Sequence, residues 1–470
     1  MASEKTSLWG ALTPVAALLF GVALLYAGYG LQATLVPLRA QTEGFDNVVI
    51  GMLGSFYYLG FVVGCLFAPF VIIRAGHIRA FAAMVSCVSA ATLAFPLAIG
   101  EVEWMVFRFA VGFCISGILV IVESWLNEKA GNETRGVVMS TYIIITYAMI
   151  TVGQMGVTTL PLVGFGLFSF CSIILSLAAV PVALTRAGQP APIPVVRFRP
   201  GLVFSLAPAA FAGTFASGIM TGSLFSLGAI YATESGFSTT NAALFISALV
   251  LGGALGQFPF GRVSDFFDRR MVLLVAMVGT LAISLTLVFG DAFSNNTIVV
   301  FALILGIFVF PGYSLAAAHA FDWTPYEDMV ETSAGLILLF GIGSTIGPIV
   351  SSVAMEVMGP RGLFAVVALA AAGLVMFIVA RVFIRDRPAD DLRSDFDIYS
   401  TAPVGGAITP EPIAEDDPSL EVPVFPTPAT EADAPKPDGQ EDDQAPERTG
   451  GEAGPSTASP DPSNPRQAGP

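Results

Sequence analysis

Residues Gly261 to Arg270 read GRVSDFFDRR, and this decapeptide decides how the rest of the chain is organised. It carries three arginines, Arg262, Arg269 and Arg270, and two aspartates, Asp265 and Asp268, directly after a long uncharged run. Charge at that density does not sit in hydrocarbon. The stretch therefore marks a tight turn at a membrane surface between two spanning segments.

Outward from it, the chain repeats itself. Gly236-Phe237 lies 192 residues beyond Gly44-Phe45, and the same offset pairs Ser247 with Ser55, Leu251 with Leu59 and Gly252 with Gly60. Gly256 and Gly64, and Val263 and Val71, follow the same register. Such ungapped matches indicate a duplicated half. The first copy of the decapeptide is degenerate: Pro69, Ile73 and Gly76 stand for Gly261, Asp265 and Asp268, while Arg74, His77 and Arg79 keep it basic.

Composition excludes a water-soluble domain. Of 470 residues, 54% are hydrophobic and 12% charged, with a mean hydropathy of +0.75, which defines an integral membrane protein. The net charge of −15 is unevenly spread: residues up to Arg393 carry −2 and those after it −13. The acidity belongs to a tail and says nothing of cationic or nucleic-acid partners for the body. Cys65, Cys87, Cys114 and Cys171 lie in apolar runs without paired spacing, so they read as small hydrophobes rather than disulfides or metal ligands. The first apolar run is too long for a cleaved signal peptide, and the repeat needs it as a helix.

Twelve runs are long enough to cross a bilayer, near Leu12–Leu38, Val48–Ile73, Ala80–Ile99, Trp104–Leu126, Val137–Leu162 and Phe165–Thr185, then Leu202–Thr233, Asn241–Phe260, Met271–Gly290, Thr297–Phe321, Thr332–Met358 and Gly362–Ile384. The expected fold is an all-α membrane protein of two pseudo-symmetric six-helix bundles. The bundles occupy 1–185 and 201–385, a cytoplasmic linker 186–200, and a disordered acidic, Pro-rich tail 386–470. With both termini inside, one side collects Lys5, Arg74, Arg79, Lys129, Arg135, Arg186, Arg197, Arg199, Arg262, Arg269, Arg270, Arg385, Arg387 and Arg393. The other keeps Arg39 and Arg361 beside seven acids, so the positive-inside rule places both termini in the cytoplasm.

The decapeptide resembles the loop signature of the major facilitator superfamily, Gly-x-x-x-Asp-x-x-Gly-Arg-Arg, with Asp268 in place of the second glycine. Arg108 to Gly112 in the fourth run resembles that family's Arg-x-x-x-Gly motif. LVPLRA (Leu35–Ala40), VESWLN (Val122–Asn127), RGVVMSTY (Arg135–Tyr142) and AAAHAFD ending at Asp322 are similar to its bacterial YcaD-type branch, as is the segment from Leu338 to Pro348. The resemblance covers about residues 10 to 385. It implies a monomeric secondary transporter of the bacterial inner membrane, moving a small organic solute by alternating access without a cofactor or metal.

The resemblance also implies roles. Arg108 would face the cavity and tune a proton-carrying acid, although it is about one turn from Trp104 and could instead snorkel to the surface. From position alone, Glu123 lies about 19 residues or roughly 28 Å along the helix from Trp104, at the cytoplasmic end, where it would pair with Arg74 or Arg79. His319 and Asp322 end the tenth helix near Arg262 or Arg269; by the resemblance these pairs, with Asp265 and Arg270, would gate the cytoplasmic mouth. His319, one of two histidines, has an intrinsic pKa near neutrality, and on that ground its protonation would couple transport to protons. Tyr29, Gln32, Tyr147 and Gln154 are the chosen cavity residues among further polar candidates that include Tyr26, Tyr57, Tyr58, Tyr142 and Tyr313. With little net charge inside the helices, a neutral or amphipathic solute is expected. Gly343-x-x-x-Gly347-Pro348 brings backbones close, but the family's antiporter motif of that form belongs in helix five, where Gly153-Gln154 stands instead. No nucleotide-binding loop Gly-x-x-x-x-Gly-Lys-Ser/Thr occurs. A receptor or scaffold signalling through the acidic tail is the alternative to transport, and no constellation of an enzyme stands out.

Overall fold

The computed structural model describes residues 12–130, 134–185, 199–290 and 293–382. Expectations for Lys5, Arg186, Arg197, Arg385, Arg387 and Arg393, for connector residues 186–198 and for the tail 386–470 fall outside them. The described residues form α-helices and short 3-10 turns without strands. In hydrocarbon each backbone N–H and C=O needs a partner in its own segment, and a helix supplies it.

The first six spans are α1 (Ala16–Thr42), α2 (Asn47–Ala75), α3 (His77–Ala94), α4 (Glu101–Lys129), α5 (Arg135–Met155) and α6 (Gly166–Ala183). A short α7 (Pro200–Leu206) leads into α8 (Pro208–Glu234), α9 (Thr239–Phe266) and α10 (Arg269–Phe289). The tenth span is broken at Phe310 into α11 (Asn295–Val309) and α12 (Pro311–Phe321), and α13 (Met329–Met358) and α14 (Gly362–Val382) complete the set. Twelve segments of these helices are long and apolar enough to cross a membrane.

The quoted decapeptide is less of a loop than its charge suggests. Helix α9 runs on through Phe266, so exposed Arg262 and half-buried Asp265 belong to its last turn. The turn itself is Phe267-Asp268. Asp268 has an ordinary φ of −58° and caps α10 by accepting from the Arg270 backbone N–H, so no glycine is needed there. In the first copy the equivalent Gly76 adopts φ 80°, a conformation that favours glycine.

The repeat is visible atom by atom. Gly44 and Gly236 have φ of 84° and 86°, and their turns share hydrogen bonds: Phe45 N–H to Ala40 O and Phe237 N–H to Ala232 O, both 3.0 Å. Close helix contacts repeat as well. A Cβ at Gly60 or Gly64 would strike the Phe109 or Phe113 carbonyl; at Gly252 or Gly256 it would strike that of Leu303 or Ile307. Gly112 meets the Tyr57 carbonyl as Gly306 meets that of Leu249, and Gly153 meets Ala27 as Gly347 meets Ile219. These contacts bind α2 to α4, α9 to α11, α1 to α5 and α8 to α13.

The two sets of spans meet where α2 packs on α13 and α5 on α9. At the end bearing Asn47, the Thr233 hydroxyl donates to Gln41 Oε1 at 2.8 Å, and Asn47 Nδ2 donates to Glu234 Oε1 at 2.7 Å. Gln41 and Thr233 are themselves 192 residues apart, so they meet on the pseudo-two-fold axis.

If backbone approach at these glycines sets the fold, Gly112→Ala and Gly306→Ala should each cost about 1–3 kcal/mol, read as a fall in the melting midpoint of the purified protein. Gly373→Ala, with open space around it, should leave the midpoint unchanged.

Candidate functional site

A stripe of tyrosines runs along the interior of the first six spans. Arg108 of α4 has its Cζ 4.5 Å from the centre of the Tyr57 ring. Tyr57 packs on Tyr58 at 5.1 Å and on Tyr29 at 6.1 Å, and Tyr29 on Tyr26 at 6.4 Å. The Tyr26 and Tyr142 hydroxyls are 3.1 Å apart, and Tyr142 Oη donates to Glu123 Oε1 at 3.5 Å. One buried cation and one buried acid, fifteen residues or about 22 Å apart on α4, thus mark the two ends of an aromatic path.

Arg108 does not snorkel. It is 6% exposed, donates through Nε to the Leu53 carbonyl at 3.3 Å, and leaves Nη1 without an acceptor. No carboxylate among the described residues pairs with it, so the acid it was expected to tune is not beside it. A cation–π contact returns about 0.5–2 kcal/mol, less than the several kcal/mol lost on burying an ion. The site keeps an unbalanced positive charge.

Glu123 is buried in α4 and takes its bond from Tyr142, not from Arg74 or Arg79, which are exposed at the ends of α2 and α3. An acid six residues inside the helix end is too deep for side chains that point outward. Glu123 lies within electrostatic range of Cys65 in α2 and Tyr313 in α12.

The four chosen cavity residues fare differently. Tyr147 reaches the boundary between the two sets, accepting from Gln257 Nε2 at 3.3 Å. Tyr29 joins the stripe. Gln154 is fully buried, and neither its Nε2 nor its Oε1 has a hydrogen-bond partner among the described residues. Gln32 instead turns towards α3, donating to the Thr92 hydroxyl at 2.5 Å, because the face of α1 it occupies packs inside the first set. Gln257 was missed in the sequence; its one signal was an amide after Gly256 in an otherwise apolar run. Tyr57, Tyr58, Tyr26 and Tyr142 carry the stripe, though tyrosines in such runs usually anchor at interfaces.

At the opposite membrane face the charges gather on the last six spans. Arg269 Nε is 3.1 Å from Asp322 Oδ2, both buried, while Arg262 stays exposed. Arg270 Nη2 is 2.9 Å from Asp268 Oδ2. Burial pushes the Asp268 carboxyl up, but the donors and charge of Arg270 outweigh it and hold the group below its ordinary 3.8. Its contribution to stability is therefore complete above that pH and is lost as pH falls through the lowered native value. His319, also buried, is near enough for its charge to act on Asp268. In the first copy His77 stands for Arg269 and bonds Ser124 at 3.2 Å, with Glu128, the counterpart of Asp322, in electrostatic range.

Twelve spans, a duplicated half and a polar stripe beside the seam define a polytopic α-helical membrane protein of the transporter type. The family model described as Major Facilitator Superfamily matches residues 210–406, and that described as Sugar (and other) transporter matches 20–187. In both halves the chain matches models of this transporter class, and its fold is that of the major facilitator superfamily. It is similar to the uncharacterized MFS-type transporter YcaD of Escherichia fergusonii, at 29% identity over 76% of this chain and 92% of the relative. The Shigella flexneri YcaD is 28% identical over the same shares. Among solved structures, the nucleoside transporter NupG superposes with a TM-score of 0.64 at 14% identity, covering 80% of this chain and 100% of that one. A bacterial homolog of the human lysosomal transporter Spinster, inward-facing and occupied, gives 0.60 at 15% identity, covering 81% and 97%.

Asp322→Asn removes the counter-charge 3.1 Å from buried Arg269 and should destabilise by about 3–5 kcal/mol, whereas Arg262→Ala should cost less than about 0.5 kcal/mol. Melting midpoints in detergent compare the two. Equal losses would mean that the buried pair is not what holds this face.

Proposed function

We propose that this protein is a secondary transporter of the bacterial inner membrane that moves a small organic solute by alternating access, as a monomer, with 1–185 and 201–385 as the moving bodies. The observation that carries the reading is the seam at the Asn47 end. It is closed by hydrogen bonds between Gln41 and Thr233 and between Asn47 and Glu234, and by Gly51 and Gly54 against Ser352 and Ser226. Such contacts separate without stranding a buried charge. The spread of lysine and arginine supports a cytoplasmic location for the Asp268 face, and the YcaD relatives named above are bacterial.

The solute site of this reading lies between Tyr29, Tyr147 and Gln154, near the middle of the spans. Coupling to protons rests on Glu123, His319 and Asp322, titratable groups held inside the protein. Arg74, Arg262, Asp265, Arg269 and Arg270 complete the gate at the Asp268 face.

The test loads vesicles containing the full chain with a bacterial metabolite extract under an imposed proton gradient and reads their contents by mass spectrometry. At least one solute should accumulate over protein-free vesicles, and a protonophore should abolish this. The N47C/E234C variant in a Cys87→Ser background should lose accumulation when joined by a short bis-thiosulfonate and regain it on reduction. Accumulation undiminished by the cross-link would sink alternating access, and indifference to the protonophore would remove proton coupling alone.

A further inference from the structure

We infer that Arg108, caged by Tyr29, Tyr57 and Tyr58, is the subsite that holds a carboxylate of the transported solute; this rests on the transporter reading and narrows its substrate class. The first ground is charge. The other buried arginines among the described residues have acids: Arg39 with Glu43, Arg269 with Asp322, Arg270 with Asp268. Arg74, Arg79 and Arg262 are exposed. Among the described residues, buried Arg108 has no ion-pair partner and its Nη1 no acceptor.

The second ground is that the fold does not need it. Where the first set has Arg108, Tyr57, Tyr58 and Tyr29, the repeat has Ala302, Leu249, Val250 and Thr221. Yet the glycine contact one turn away is the same in both copies, Gly112 on Tyr57 and Gly306 on Leu249. Helix pairing is complete without the guanidinium, so its burial needs another cause.

Position and valence supply the third ground. Helix α2 bears the cage on one side and packs on α13 with the other, and Tyr58 is one turn from Val62, which abuts Gly341. The cage thus borders the seam that the solute must pass. A lone guanidinium balances one negative charge, and a planar carboxylate matches its fork; a phosphate dianion would call for a second cation. The three rings accept an apolar or aromatic body beside the charged group. This narrows the neutral or amphipathic solute expected from composition to an amphipathic anion, because a single buried charge barely moves a composition.

The experiment uses the purified full chain and matched pairs: benzoate and benzamide, hexanoate and hexanamide, indole-3-acetate and indole-3-acetamide, with inorganic phosphate alongside. Affinities come from ligand-dependent shifts of the melting midpoint. At least one carboxylate should bind about tenfold or more tighter than its amide, the size of a charge-assisted hydrogen bond, and phosphate should not protect. R108Q should bring that carboxylate to the affinity of its amide without lowering the unliganded midpoint, since it removes an unbalanced buried charge. R108K, which keeps the charge but not the planar fork, should retain part of the discrimination and serves if R108Q does not fold. Equal affinity within every pair, protection by no carboxylate, or discrimination that survives R108Q overturns the subsite. Vesicles that concentrate only neutral or cationic solutes would also overturn it while leaving the transporter standing; vesicles that concentrate nothing would remove the transporter reading itself.

Discussion

In hydrocarbon, apolar side chains gain nothing by leaving lipid for one another, so helices associate only where their backbones come close enough for dense van der Waals contact. Here that closeness is set by glycines lying on the carbonyls of a neighbouring helix. Gly60 and Gly64 on α4, Gly112 back on α2 and Gly153 on α1 fix the partners of the first set. Gly252, Gly256, Gly306 and Gly347 fix those of the second in the same pattern. The same device serves between the sets, where Gly51 of α2 lies on the Pro348 carbonyl of α13 and Gly341 of α13 lies on Val62.

The turns show how one duplicated geometry is met by different chemistry. Between α2 and α3 the chain turns through Gly76, using a positive φ; between α9 and α10 it turns through Asp268 in an ordinary conformation and caps the next helix with its carboxylate. A residue along, His77 bonding Ser124 stands where Arg269 pairs with Asp322. The motif is degenerate in the first copy because a small neutral turn and a hydrogen bond do there what two ion pairs do in the second.

The spans, the repeat and the glycines were legible because membrane crossing and close backbone approach constrain residue type at every such position. What a polar residue faces was not legible. These helices meet protein on one side and lipid on the other, both apolar, so no amphipathic pattern tells the angular position of Gln32 or Glu123. Gln32 therefore looked like a cavity residue and turned out to bond Thr92. Depth along the helix matches Glu123 to Arg74 or Arg79, but those two are exposed whereas Glu123 is buried and accepts from Tyr142. The Arg269–Asp322 pair was readable because both residues stand at helix ends, where the turn fixes direction as well as depth.

Pseudo-symmetry separates what the fold needs from what it carries. Positions alike in both copies, the glycine contacts and the Gly44 and Gly236 turns, serve architecture. Positions that differ are not fixed by that shared pattern: Arg108, Tyr57, Glu123 and Tyr142 correspond to Ala302, Leu249, Ala317 and Leu336 in the repeat, while Asp268, Arg269 and His319 correspond to Gly76, His77 and Trp125. The first set has gathered a buried cation, an aromatic path and a buried acid; the second has gathered ion pairs at one membrane face. Charges inside spans are costly and face the bundle interior or a cavity, bonded to one another or to backbone carbonyls, as Arg108 is to that of Leu53. That division, a buried cation and acid joined by aromatic rings in one set and ion pairs at one membrane face in the other, follows from where the two copies have ceased to match.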